Sequence, residues 1–185
     1  IVFGFSFLTM FAAVLIAKDK QSAFLVRLFA SPLSAADYVI SYTLPLLPLA
    51  LLQGTLVFIL AFAFGLQFSA NILLALLALV PMAVMSVFMG LLFGSLLTES
   101  QVAGVGSIYI TLTSLFSGAW MPLQLVGGFF KTIAYALPFA HAIDGARAAL
   151  AGDYAAIWPH VQWTIAYAVV VCILAIIAFR RRMKG

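Results

Sequence analysis

The chain of 185 residues is 66% hydrophobic and only 8% charged, with a mean hydropathy of +1.23. Soluble domains carry about a quarter charged residues, so this chain lacks the polar surface that water demands and reads as an integral membrane protein in a lipid bilayer. Its net charge of +4 is no nucleic-acid footprint, because Arg180, Arg181, Arg182 and Lys184 supply four of the nine basic residues and mark membrane orientation instead.

At about twenty residues per span, the expected fold is all-α. A single polytopic transmembrane unit covers residues 1–185, with five spans and one external hairpin. The alternating ten-residue strands of an outer-membrane barrel are absent. Cys172, the one cysteine, lies in an apolar run and has no intrachain partner.

Ile1 to Ala17 is the first span. It opens inside an apolar helix without methionine or a basic leader, and is expected to be the trimmed start of a longer chain. Lys18 to Asp37 forms a charged loop whose interior is helical in pattern. Phe24, Leu25, Leu28 and Phe29 share one helical face, with Arg27 and Gln21 toward the other. Pro32 stops that helix. Ser34 and Asp37 then make a capping-box start for the next one. Such an amphipathic segment either rests in the headgroups or docks a soluble partner.

The second span, Tyr38 to Phe64, is interrupted by Pro45, Pro48 and Gly54 and is expected to kink and tilt. After the uncharged turn Gly65 to Asn71, Ile72 to Leu97 forms the third, kinked near Pro81. Ser86, Gly90 and Gly94 recur every four residues on it, a stripe that allows close helix approach. Thr98 to Gln101 is a polar turn, and Val102 to Trp120 is the fourth span. Ser107, Thr111, Ser114 and Gly118 make one side of it polar, suited either to packing or to lining a path.

From Met121 to Trp158 the chain is apolar but broken by Pro122, Gly127, Gly128, Pro138, Gly145 and Gly152. Its pieces, Phe129 to Leu137 and Ala140 to Leu150, are too short to cross, so they read as a re-entrant or interfacial hairpin. Asp144 and Arg147 are spaced as an intrahelical ion pair. His160 to Phe179 is the last span. Lys18, Lys20, Arg27 and the four C-terminal basic residues fall on one side, against Lys131 and Arg147 on the other. The positive-inside rule puts the charged loop and the C-terminus in the cytoplasm and the hairpin outside a cell membrane.

Little catalytic chemistry is legible. There is no GxxxxGK[ST] loop for ATP and no GxSxG nucleophile elbow. His141, Asp144 and His160 would suffice as three metal ligands for an intramembrane metal-dependent hydrolase, although local hydrogen bonding explains them as well. An ion-coupled secondary carrier is a third reading. No charged residue falls at the centre of a span, which speaks against proton coupling but not against a sodium site of carbonyls and hydroxyls.

Four stretches, in order, resemble the type-two ABC exporter permeases, the membrane subunits of drug, lipid and polysaccharide exporters. RLFASPLSAADY (Arg27 to Tyr38) is similar to the family's loop between its second and third helices. TESQVAG (Thr98 to Gly104) resembles the turn before the fifth, and SGAWMP (Ser117 to Pro122) the SG…P signature that ends it. LPFAHAIDGARAAL (Leu137 to Leu150) resembles the external segment before the last helix, including the arginine at Arg147. Where the family often has a second proline after SG…P, this chain has LQLVGGF. The resemblance implies six spans in the intact fold, the first of them missing here. It also implies an ATP-driven exporter half for a lipophilic or amphiphilic substrate such as a drug, lipid or glycan-lipid. Phe24, Leu25, Arg27, Leu28 and Phe29 would form a coupling helix on a separate ABC ATP-binding subunit. That subunit would hold ATP and Mg, so this chain binds no cofactor and is no enzyme. A second permease chain, as a homodimer, would complete the path.

The orientation is testable. With Cys172 replaced, a cysteine at Ser22 is expected to react only from the cytoplasm, and one at Gly152 only from outside. Labelling of both from the same side would sink the five-span arrangement.

Overall fold

The computed structural model describes residues 1–20, 34–66, 69–120 and 123–183. In chain order these form α1 (Val2–Asp19), α2 (Ala35–Ala63), α3 (Asn71–Leu96), α4 (Glu99–Phe116), α5 (Leu123–Val126), α6 (Gly128–Ala136), α7 (Pro138–Ala151) and α8 (Tyr154–Met183), with no strand among the described residues. The expected all-α polytopic fold is the one observed. Phe24, Leu25, Arg27, Leu28 and Phe29, as well as Pro122, lie outside the described residues.

Helix ends follow local chemistry. Ser34 and Asp37 close a capping box at the start of α2, with Asp37 N–H donating to Ser34 Oγ (3.2 Å) and Ser34 N–H to Asp37 Oδ2 (2.9 Å). Left-handed glycines end α2 and α7: Gly65 at φ +95° and Gly152 at φ +78°. At the second, Gly152 N–H reaches the Ala149 carbonyl and Asp153 N–H the Ala148 carbonyl, satisfying two of the last open acceptors of α7. Asp153 Oδ1 then accepts from Ala156 N–H (3.2 Å) and opens α8.

Val2–Asp19, Ala35–Ala63, Asn71–Leu96 and Tyr154–Arg181 are long and apolar enough to cross a bilayer. The fourth expected span differs. α4 is as long as α1, 18 residues each, but its Glu, Gln, Ser and Thr residues keep its hydropathy below the other four. It also starts three residues earlier than Val102 and ends before Trp120. Thr98 N–H donates to Gln101 Oε1 (3.0 Å), so the polar turn caps the helix and joins it, and Gly118 at φ +70° turns the chain away. Pro45 and Pro48 sit inside the single helix α2.

α3 is the centre of the bundle, packed on α1, α2, α7 and α8. Its Met82 and Met85 are fully buried, where their flexible side chains fill irregular space. Toward α1 the contact is backbone to backbone. A β-carbon at Gly90 would lie 2.5 Å from the Thr9 carbonyl oxygen and 2.6 Å from the Ala12 β-carbon. At Gly94 it would lie 2.6 Å from the Ala13 carbonyl oxygen. One turn earlier the Thr9 hydroxyl donates to the Ser86 carbonyl (2.9 Å). The stripe Ser86, Gly90 and Gly94 therefore sets the α1–α3 distance.

The broken segment folds back on the bundle. α7 lies antiparallel to α8 and against α3, and Pro138 is its first residue, where a missing N–H costs nothing. The α6–α7 junction is beside Tyr167, well along α8, whose hydroxyl donates to the Ala136 carbonyl (2.6 Å). The hairpin thus dips below the end of the bundle that carries Asn71 and Tyr154.

Gly90→Val is expected to lower the thermal unfolding temperature of detergent-solubilised protein, with about 1–3 kcal/mol lost to overpacking against backbone that cannot yield. Gly104→Ala, which meets nothing within 4 Å, is the control and should leave that temperature unchanged or raise it.

Candidate functional site

α4 divides into two sides. Val102, Gly106, Tyr109 and Thr113 are buried against the bundle, while Ser107 and Thr111 are exposed and Ser114 is half-buried. Each exposed hydroxyl is bonded within its own helix: Ser107 Oγ donates to the Ala103 carbonyl and Thr111 Oγ1 to the Ser107 carbonyl, both at 2.9 Å. Their protons are occupied and their oxygen lone pairs point outward, which lowers the cost of placing a hydroxyl in an apolar medium. Ser114 is engaged differently. Its hydroxyl accepts from the Trp120 indole N–H (2.6 Å), which folds the tryptophan back over the end of α4.

Two clefts meet at Phe3, Ser114 and Trp120. One, of about 540 Å³, runs along Thr111 to Leu123 and Phe130. The other, of about 560 Å³, extends past Phe58 and Ile143 to Arg147. Their walls are apolar, with a few hydroxyls and one cation. Such a lining suits an amphiphile.

A hydroxyl knot that sequence reasoning missed lies behind this face. Tyr109 OH, Thr113 Oγ1 and Ser86 Oγ are buried without a well-formed hydrogen bond. The Tyr109 ring is held edge-on by Phe93 (5.5 Å) and Phe139 (6.0 Å). These residues come from α3, α4 and α7, so only the tertiary fold brings them together.

At the hairpin end, Tyr135 OH donates to Asp144 Oδ2 (2.7 Å), and Asp144 Oδ1 is 3.5 Å from Arg147. Arg147 also donates to the Gly118 carbonyl (3.2 Å), tying α7 to the end of α4. Burial, and then the bond to Asp144, push the Tyr135 phenol up to about 12, so it stays a donor at neutral pH. Pro138 is buried at the start of α7. His141 and His160 meet at 2.8 Å, Nδ1 to Nδ1. Asp144 does not join them, and among the described residues no three His, Cys, Asp or Glu side chains are grouped to hold a metal. The hydrolase reading of His141, Asp144 and His160 is corrected on that geometry. The carboxylate is committed to Tyr135 and Arg147.

At the opposite end, the residues flanking the charged loop are clamped. Lys20 Nζ donates to the carbonyls of Gly94 (3.2 Å), Ser95 (3.4 Å) and Leu97 (2.6 Å) at the C-terminus of α3. Tyr42 OH donates to Asp19, joining α2 to the end of α1. Lys18 pairs with Glu99, the first residue of α4, at 3.5 Å.

Comparison with known proteins bears on these surfaces. A family model described as ABC-2 type transporter matches residues 1–151. The chain is 26% identical over 181 residues to ABC transporter G family member 20 of Dictyostelium discoideum, a match covering 94% of this chain and 24% of that protein. It thus spans about a quarter of the length of that relative. No solved structure matches.

Proposed function

The chain belongs to the ABC-2 type transporter family, and from that premise we propose that it is the permease half of an ATP-driven exporter of an amphiphilic substrate. The observation that carries this reading is the free hydroxyl face of α4. Ser107 and Thr111 are exposed, their hydroxyl protons satisfied, and the face runs into two apolar clefts, one of which ends at Arg147. An apolar tail finds the walls, and a polar or anionic head finds hydroxyl oxygens and a guanidinium.

The remaining parts follow from the same reading. The α4 face is open, so a second copy of the chain closes the path across it. Energy comes from ATP and Mg on a separate ABC ATP-binding subunit, which the 18–37 segment contacts through Phe24, Leu25, Arg27, Leu28 and Phe29. The clamps at Asp19, Lys20 and Lys18 stand where that contact enters the bundle. In this arrangement the loop end faces the cytoplasm and the hairpin end faces outside. The chain's own chemistry is binding and release, with no bond made or broken.

Thr111→Val tests the path. The change keeps side-chain volume and removes one exposed oxygen, and the Ser107 carbonyl keeps its helical partner. In proteoliposomes with the ATPase partner, the export ratio of two unlike amphiphiles is expected to shift by about threefold or more, while the thermal unfolding temperature stays within a degree or two. A threefold change corresponds to about 0.7 kcal/mol of discrimination. An unchanged ratio with a depressed unfolding temperature would assign the face to helix packing instead. Export that continues without ATP would favour an ion-coupled carrier.

A further inference from the structure

The contact between the two histidines is one that the transport reading does not use. His141 Nε2 is 3.0 Å from the Tyr135 carbonyl oxygen, and a carbonyl only accepts. Nε2 therefore carries a hydrogen, and in the neutral ring Nδ1 of His141 is a lone pair. His160, 2.8 Å away through its own Nδ1, must then be the donor, which leaves His160 Nε2 as the free basic nitrogen. We propose that this pair binds one proton and rejects a second, so that acidification on the hairpin side breaks it and releases the α6–α7 hairpin from α8.

The balance of hydrogens decides the steps. With one added proton the pair carries three hydrogens on its four ring nitrogens, and both contacts stay intact, the one between the rings now charge-assisted. A second proton has only His141 Nδ1 to occupy, and there it faces the N–H of His160 across 2.8 Å. Two like charges would sit in rings whose centroids are 5.1 Å apart. The contact cannot survive that state. Its loss leaves His141 Nε2 on the Tyr135 carbonyl within the hairpin but removes a side-chain link between that hairpin and α8, so the junction is then held there by the Tyr167 hydroxyl on the Ala136 carbonyl.

The surroundings of His141 hold its proton affinity below the usual imidazole range. Burial pulls the affinity of His141 for a proton down, the Tyr135 carbonyl pulls it up, His160 lowers it and Asp144 raises it. Asp144 is already shared by Tyr135 and Arg147. The other titratable groups facing the pair are Lys131 on α6, which lies over the Tyr135 ring, and Tyr167 on α8. Asp153 and Tyr154 are at the turn between α7 and α8. α3, packed against both helices, contributes no titratable side chain, and α4 offers only Tyr109, behind Phe139.

The experiment reads distance, so it does not depend on transport. In the full chain with Cys172 replaced, spin labels at Thr132 and Gln162 report the α6–α8 separation in nanodiscs between pH 8 and pH 4.5. One distance is expected at high pH. A second, longer one should appear at low pH, its ratio to the first rising about tenfold per pH unit, as the uptake of one proton requires. His160→Gln should hold the single distance throughout, because the amide presents N–H to a neutral His141 and turns its carbonyl to a protonated one. Asp144→Asn should keep the response. A wild-type distance unchanged to pH 4.5 would overturn the proposal without reference to any variant. So would a response that persists in His160→Gln, or one that Asp144→Asn abolishes.

Discussion

A carbonyl left open inside a bilayer has no water to turn to, and each such group costs several kcal/mol. The architecture depends on where the helices stop and on what meets their last carbonyls. The α6–α7 junction is the severest case. It breaks the helix beside the middle of α8, and two side chains stitch it: His141 takes the Tyr135 carbonyl and Tyr167 takes that of Ala136. The end of α3 is met by the Lys20 ammonium, which reaches three carbonyls and also complements the negative end of the helix dipole. Where no side chain is at hand, glycine does the work, as at Gly65 and Gly152.

With the ends satisfied, packing can rest on small residues. Lipid is as apolar as leucine, so helices in a membrane associate through close contact rather than through escape from water. The α1–α3 interface follows that rule. Gly90 and Gly94 admit the backbone of α1, and Ala12, Ala13 and Ile16 on the facing side are fully buried. The price of such tightness appears one layer out, where Tyr109, Thr113 and Ser86 are buried close together without good hydrogen-bond geometry.

Much of this was legible in the sequence because it is local. Apolar runs located the long helices, the Ser34–Asp37 spacing located a cap, and glycines and prolines located the broken hairpin. The limits were physical as well. TESQ read as a turn because its residues are polar, yet Thr98 and Gln101 cap each other and begin α4. His141 and His160 stand nineteen positions apart, and no spacing rule brings them together. The antiparallel fold of α7 on α8 does. Asp144, nearer in sequence, is drawn to Tyr135 from α6, and the imagined ligand set dissolves for that reason.

The loop-end clamps differ in strength, and that orders how motion passes into the bundle. The Lys18–Glu99 pair is exposed on both sides and 3.5 Å apart. Such pairs contribute about 0–1 kcal/mol and are screened by salt. It is a weak link to α4. Lys20, by contrast, is part-buried and donates to three acceptors at once on α3, where a charged donor contributes about 1.5–3 kcal/mol. Lys20 also caps α1, so the segment after it is tied to α1 through the backbone and to α3 through the Lys20 ammonium. The Gly90 and Gly94 contact couples α1 and α3 closely, and α3 is packed in turn on α7 and α8. α4 is moved last, through its packing on α1. The helix that bears the hydroxyl face is thus the one least rigidly tied to the loop, and it is joined to the hairpin by Arg147 on the Gly118 carbonyl at its other end and by Tyr109 against Phe139.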